Sequence, residues 1–376
     1  MKILIAGDYC PIGRNAEIIR NKSYATLFNG FEEITRNVDY SIVNFECPVT
    51  TSNHKIKKTG PCIKTEDKSA LSALKYAGFS LLTLANNHIQ DYGGQGVLDT
   101  IKYAGIEGFD VIGAGKNKTV AAFPLIKCIK GINIGFVNIA ENEFCAAEDN
   151  LAGANTFDFI DNTKTIKELR DKVDKIILIY HGGREHYQLP TPELRRRLRY
   201  FIDCGVDAVI GHHTHCFSGY EYYNNKPIVY SVGNFIFDYK PKYQTGLFTE
   251  GMGVILQLEE NKFKIELIPF FQGRKQDSTL RLLNVNERKT FIERVEELSC
   301  IIQDDKLFEK NWQSFLETQN EYYLPSFYIR NIYLRALFMK GFLPASIFKQ
   351  KHNKLLLNLI RCESHLEISK ELLNKK

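Results

Sequence analysis

The chain has 376 residues, 44% hydrophobic and 25% charged, with a formal net charge of +5, a composition that fits a folded protein with room for two domains and excludes a disordered or low-complexity polymer. The charge is uneven: residues 322–376 carry ten Lys/Arg against three Asp/Glu, or +7, which leaves about −2 on residues 1–321 and excludes a basic nucleic-acid binder as the main body. The nine cysteines are odd in number and include no Cys-x-x-Cys pair, so free thiols in a reducing compartment are expected rather than a disulfide framework.

The opening MKILIAGD has neither a long apolar core nor a small-residue cleavage site, so it reads as a first strand rather than a leader. No run approaches the ~18 apolar residues of a membrane span. A cytoplasmic location is expected. Residues 2–6 form a short apolar run ending at Gly7-Asp8, which predicts a buried strand with a carboxylate at its tip. Strand tips are where ligand-binding groups collect in layered α/β proteins. A helix is expected within 15–37, a second strand over 40–45 with Asn44 and Glu46 at its tip, and a polar loop over 50–61. Ala70, Leu71, Leu74 and Ala77 at helical spacing predict a helix over 65–78. A third strand over 79–85 ends in Asn86-Asn87-His88, and a helix follows over 93–104.

Residues 123–128 and 132–139 read as a hairpin across a Lys-Gly turn. Residues 140–159 show no period and read as loop. A helix over 162–173 precedes an apolar strand over 175–180, whose tip is His181-Gly182-Gly183-Arg184-Glu185. Thr191 and Pro192 cap and open an Arg-rich helix over 191–204. The strand over 206–210 then runs into His212, His213 and His215. In an extended segment, His213 and His215 face one site while Thr214 faces away. A strand over 227–231 leads to Gly233-Asn234-Phe235, and 253–258 with 263–270 form an antiparallel pair. After Leu283 the sequence turns helix-like. The expected domains are therefore 1–283, an α/β body, and 284–376, a helical extension.

Five strand tips carry Asp8, Asn44 with Glu46, Asn87 with His88, His181, and His213 with His215. Singly, each has a plainer reading: Asp8 as a helix cap, Asn86-Asn87 as turn formers, His181 as a satisfied strand-end histidine. Tips along one sheet edge converge, and five together favour a shared site. Carboxylates, an amide oxygen and imidazoles suit Mn, Fe or Zn. Two such ions about 3.5–4 Å apart would clamp a phosphoryl group and activate a water.

The ordered set Gly7-Asp8, Asn44-Phe45-Glu46, Ala85-Asn86-Asn87-His88 with Asp91 and Gly93, Gly113-Ala114-Gly115, His181 to Glu185, Gly211 to His215 and Tyr230 to Phe235 resembles the CapA family of capsule synthesis. That family, also called poly-γ-glutamate synthesis proteins, belongs to the calcineurin-like metallophosphoesterase superfamily. The resemblance covers about residues 1–270. It implies a four-layer α-β-β-α sandwich with two divalent metal ions, one on Asp8 and His215, the other on Asn87, His181 and His213, with Glu46 bridging. It places His88 beside the leaving group as general acid or transition-state stabiliser, and Asn234 and Glu185 near the pocket; His212 is at most an outer partner. Three positions depart from the pattern. Cys10 stands where the superfamily has a histidine, Glu46 belongs to a motif that normally supplies aspartate, and Gly182 replaces a tryptophan. Occupancy by one ion is therefore the alternative.

The implied function is metal-dependent phosphoester-type hydrolysis in making a capsule or other cell-surface polymer, on a polymer or phosphorylated small molecule, beside other capsule-synthesis proteins. The alternative is a non-hydrolytic accessory subunit that binds an anionic polymer or a synthase. A third option is a nucleotidase-type phosphatase of general metabolism. Members of the family often carry an N-terminal membrane anchor, which is not expected here. The tail over 322–376 lies outside the resemblance and mixes Lys/Arg with Tyr328, Tyr333, Leu334, Leu337, Phe338, Phe342 and Leu343. It reads as a helical subdomain with a solvated basic face, or as a peripheral membrane contact.

Overall fold

The computed structural model describes residues 1–344 and, beyond them, 348, 356, 357, 359, 360, 362, 365, 366, 368, 369 and 373. Helices α1 (Arg14–Arg20), α2 (Tyr24–Phe28) and α3 (Phe31–Arg36) follow β1 (Lys2–Cys10). Next come β2 (Tyr40–Phe45), α4 (Ser69–Ala77), β3 (Leu81–Thr83), α5 (Gly93–Ile106), β4 (Asp110–Ile112) and β5 (Ala114–Gly115). The middle of the chain holds α6 (Lys118–Ala121), the hairpin β6 (Leu125–Ile129) and β7 (Ile132–Ala140), β8 (Gly153–Ala154), α7 (Phe159–Arg170), β9 (Lys175–His181) and α8 (Pro192–Asp203). Strands β10 (Ala208–His212), β11 (Tyr220–Tyr223), β12 (Lys226–Val229) and β13 (Asn234–Phe237) precede the long hairpin β14 (Glu250–Glu259) and β15 (Lys262–Phe271), then β16 (Arg281–Leu282). Helices α9 (Val285–Gln303), α10 (Asp305–Tyr328) and α11 (Ile332–Met339) follow.

Two sheets form the body. One runs β16-β15-β14-β1-β2-β3-β4, with β13 also paired to β1; the other runs β11-β12-β10-β9-β7-β6. In the first sheet Leu4, Ala6, Val43 and Phe45 pack with Phe28, Phe31, Leu71 and Leu74 from the helices over it. Ile3, Ile5 and Ile42 turn instead toward Ile134, Phe136, Ile177, Ile179 and Ile210 of the second sheet. This strict alternation, with both faces apolar, is what a strand covered on both sides requires. On the second sheet's outer face α7 lies so close that a Cβ on Gly135 would meet Leu169 Cδ2 at 2.7 Å, and α8 packs against β10 and β12. The layers thus run helix, sheet, sheet, helix, the sandwich implied above.

Several expectations change in detail. The helix expected within 15–37 is three short ones, because Asn29 (φ 47°) and Gly30 (φ 92°) turn left-handed between α2 and α3. The stretch 140–159 is not all loop: β8 pairs with β5, Gly115 opposite Gly153. Strand β11 lies within the polar stretch after the histidines, and β13 leaves the second sheet to join the first beside β1.

The chain divides into two compact units, Met1–Asp305 and Lys306–Lys376. The division falls one helix later than the change in sequence character after Leu283. Asn284 opens α9 with a capping box to Glu287, so the helix starts where the pattern changes. Its apolar face nonetheless belongs to the first unit: Phe291 and Val295 are buried in the inter-sheet core, and the Phe291 ring centroid lies 4.2 Å from that of Phe217. The part of the helical extension expected over 284–376 that falls beyond residue 344 lies largely outside the described residues. No helix among the described residues is long and apolar enough to cross a membrane.

Candidate metal centre

Strand register builds the site. Parallel pairing sets Asp8 opposite Asn44 on one side and Asn234 on the other, and sets His181 opposite His212 in the second sheet. Residues 36 to 226 positions apart in sequence therefore meet at one end of the sandwich. Asp8, Glu46 and Asn234 are fully buried, and Asn87, His88, His181, His213 and His215 are at most 7% exposed.

Asp8 is held by three groups. Asn44 Nδ2 donates to its Oδ1 at 2.8 Å, His212 Nδ1 lies 3.0 Å from the same oxygen, and the His213 backbone N–H donates to Oδ2 at 3.1 Å. Burial alone raises its pKa, but the His212 hydrogen bond and the neighbouring imidazoles together hold it far below the usual carboxylate range. His212 thus contacts Asp8 and is in neither ligand group described below. Its Nε2 makes no hydrogen bond.

Ligating atoms converge in two overlapping groups, Glu46–His181–His213 and Asp8–Glu46–His215, each with its atoms within 4.8 Å of one another. Glu46 is common to both. His181 Nε2 is 3.1 Å from Asn87 Oδ1, 3.1 Å from His213 Nδ1 and 3.7 Å from Glu46 Oε1. On the other side His215 Nε2 is 3.9 Å from Glu46 Oε1, while its Nδ1 lies 2.9 Å from Asn234 Oδ1, which orients the ring. Neither Glu46 oxygen makes a hydrogen bond. Burial and then the adjacent Asp8 push its acid well above the usual range. An orphaned buried carboxylate beside imidazoles is costly in a bare protein, and a cation between the two groups would satisfy it. The donor set, all oxygen and imidazole nitrogen, fits divalent Mn, Fe or Zn. Burial, and then their imidazole neighbours, lower the pKa of His181 well below the ordinary value and that of His213 to about 4. Both rings are thus neutral and ready to bind.

His213 and His215 do reach one site, but not through strand pleating. Strand β10 ends at His212, and His213 (φ 90°) and His215 (φ 56°) both sit in the left-handed region. Non-glycine residues there carry strain that surrounding structure must impose, and such residues gather at functional sites. Cys10, where the superfamily has histidine, lies in the helix-side core. Burial and its neighbour Cys47 push its thiol well up, and it is in neither ligand group.

Five further residues complete the centre. His88 Nδ1 lies 2.6 Å from Asp91 Oδ2, and Asp91 also forms an ion pair with the buried Lys58. Lys58 Nζ donates to the Asn87 carbonyl at 3.3 Å and lies 3.4 Å from His88 Nδ1. Glu185 faces the centre: burial raises its pKa, but His215 and then His213 hold it below the usual value. Glu143 Oε1 stands 3.7 Å from His213 Nε2. Sequence reasoning missed Lys58 and Glu143, which lie in stretches read as featureless loop. A cleft of ≈ 210 Å³ opens onto His88, Glu185 and His215, walled by His186, Phe237, Tyr239, Tyr243 and Phe248 with Lys240 and Lys242. The His186 and Tyr243 rings stack at 5.6 Å. A larger cleft of ≈ 460 Å³ along α6, β6 and α7 holds neither ligand group.

A family model described as bacterial capsule synthesis protein PGA_cap matches residues 2–239, more than half of the chain. The chain belongs to the PGA_cap family. The match ends two residues beyond β13, so every candidate site residue from Asp8 to Asn234 lies inside it. Over 233 residues the chain is 32% identical to the PGA biosynthesis protein CapA of Bacillus subtilis (strain 168), covering 60% of this chain and 61% of that protein. It spans about three fifths of the length of the curated relatives it matches. Among solved structures it is similar to a hypothetical protein from Thermus thermophilus, at 15% identity and TM-score 0.48, over 72% of this chain and 99% of that one. It is also similar to a putative 5′-nucleotidase from Staphylococcus aureus, at 13% identity and TM-score 0.45, over 79% of this chain and 58% of that one.

Proposed function

We propose that this PGA_cap chain is a hydrolase of the phosphoester type that depends on divalent metal, two ions sharing Glu46, and acts in making a capsule or other cell-surface polymer. The observation that carries this reading is the buried, unsatisfied Glu46 carboxylate common to two ligand groups. Asp8 and His215 would complete one ion's set, and Asn87, His181 and His213 the other's. Bound there, such ions supply Lewis-acid polarisation of a phosphoryl oxygen and a water made acidic near neutral pH.

The protein's own groups do the rest. Asp91 holds His88 by Nδ1, which leaves Nε2 as the atom to hold or pass a proton at a leaving oxygen in the cleft. Burial lowers the His88 pKa, an effect Asp91 partly offsets. Lys58 keeps the buried Asp91 carboxylate paired and the dyad in place. The ring wall from Phe237 to Phe248 keeps bulk water off one side of the centre.

The test is metal content after purification together with hydrolysis of p-nitrophenyl phosphate in Mn²⁺, on the wild type and His213→Ala. The expected result is a metalloprotein whose activity and metal both fall in the variant. Metal-free, inactive protein indifferent to His213→Ala would instead favour the accessory-subunit reading, to which the burial of Cys10 away from the ligand groups gives some support. A separate expectation concerns the dyad. Lys58→Met should lower kcat about 10–100-fold, the usual effect of losing an outer-shell partner, with metal content unchanged because Lys58 is in neither ligand group.

A further inference from the structure

Between residues 322 and 344 the chain has no Asp or Glu and three cations, Arg330, Arg335 and Lys340. The same stretch exposes large apolar side chains: Tyr333 is 81% exposed, Phe342 72%, Ile332 65% and Met339 56%. On α11 positions 332, 333, 334, 337 and 339 are all exposed, and only Phe338 is buried. At about 3.6 residues per turn these positions spread over more than half of the helix circumference. A helix that docks in a protein groove or a coiled coil presents a narrow apolar stripe, whereas an apolar belt this wide matches immersion in an apolar medium. The composition indicates which medium. Tyrosine favours the lipid–water boundary, and Arg and Lys lay their stems on apolar surface while their charges stay at the headgroups. With eight residues, α11 is roughly 12 Å long, too short to cross a ~30 Å hydrocarbon core.

We propose that residues 322–344 dock the protein onto an anionic lipid surface, with the apolar side chains of α11 and its flanks in the headgroup–acyl boundary and Arg330, Arg335 and Lys340 at the level of the lipid phosphates. The cations are spaced through the apolar stretch, so one segment supplies both the charge attraction and the apolar contact that interfacial binding combines. The inference concerns a part of the chain beyond the family match, and it is independent of whether the metal centre hydrolyses anything.

The experiment is flotation of the full chain with vesicles of phosphatidylcholine alone and of phosphatidylcholine mixed with phosphatidylglycerol. The protein should float with the anionic vesicles, release as salt is raised, and stay unbound with the neutral ones. Joint replacement of Arg330, Arg335 and Lys340 by Glu should lower the partition coefficient on the order of a hundredfold or more. The pair Ile332→Ser and Phe342→Ser should weaken it at unchanged charge. Melting curves that overlay the wild type's would show that the variants remain folded; if either set melts early, conservative Lys340→Gln and Phe342→Leu replacements carry the comparison. Three results would overturn the proposal: no flotation with anionic vesicles, equal flotation of the charge-reversed variant, or a wild-type dimer in light scattering that Ile332→Ser and Phe342→Ser dissociate. The last would make the face a contact between two copies of this chain.

Discussion

Glu46→Gln is expected to strip the protein of metal and abolish hydrolysis while leaving the metal-free fold at least as stable as the chelated wild type. Glu46 is fully buried, and neither of its oxygens makes a hydrogen bond. It is the residue common to both ligand groups, so its loss should exceed the about 10–100-fold effect typical of an outer partner. In the chelated wild type the same carboxyl is a liability. Its pKa is raised by burial first and by Asp8 second, so the folded state keeps a proton that the unfolded chain releases near the ordinary value of about 4.3. Stability then falls as pH rises from that value toward the folded pKa, with a slope of about 1.4 kcal/mol per pH unit. Glutamine does not titrate and removes that slope. Calorimetry with and without EDTA, across pH, reads both effects: chelation should lower the Tm of the wild type and leave the variant unmoved. A variant with wild-type metal content, or a wild type whose melting ignores the chelator, would remove Glu46 from the centre.

The α/β body was legible because its signals are local. The runs at 2–6, 40–45 and 175–180 are apolar and end in polar tips, and those tips are where Asp8, Asn44, Glu46 and His181 stand. Two glycines of the matched motifs gain their physical reason only from the structure. A Cβ on Gly211 would meet the Tyr230 carbonyl oxygen at 2.1 Å, so close backbone approach fixes that residue, whereas Gly113 is fixed both by its left-handed backbone (φ 86°) and by the Asn138 side chain, whose Oδ1 would lie 2.0 Å from a Cβ. What the sequence hid is long-range. Strand β13 has four residues and a burial pattern that is buried throughout, and nothing in it says that it pairs with β1 instead of continuing the second sheet.

The site shows the same division. His213 and His215 share one site, but the backbone that brings them there is not the expected one: a two-residue spacing cannot distinguish pleating from two left-handed bends, and the latter occur here. Lys58 sits in a polar stretch, and its meaning comes from Asp91, 33 residues later. Glu143 lies in 140–159, where no periodicity exists to read, and acquires a role only because the chain there brings it to His213. His186 became part of the cleft through Tyr243 and Phe248, which follow it in sequence by more than fifty residues.

Gly7→Ala should be among the most damaging single-methyl changes in the chain. The added Cβ would lie 2.1 Å from the Gly233 carbonyl oxygen and 3.1 Å from the Asn234 carbonyl carbon, all backbone. No side chain can swing aside to relieve it. The strands must part, and the parting acts on the centre, because the Asp8 N–H donates to that same Gly233 oxygen at 3.1 Å and Asn234 holds His215 at 2.9 Å. Overpacking of a well-filled core costs about 1–3 kcal/mol where side chains can adjust, and a backbone clash belongs at or above the top of that range. Gly105→Ala is the matching control. It lies in α5 with nothing within 4 Å of the new methyl, so helix propensity should make it neutral or stabilising by up to about 1 kcal/mol. The expected pattern is a fall in Tm with loss of bound metal for Gly7→Ala, and neither for Gly105→Ala. Equal melting and equal metal content in the two variants would mean that β1 and β13 are not pressed together at Gly7 and Gly233. Asp8 and Asn234 would then need another reason to share one site.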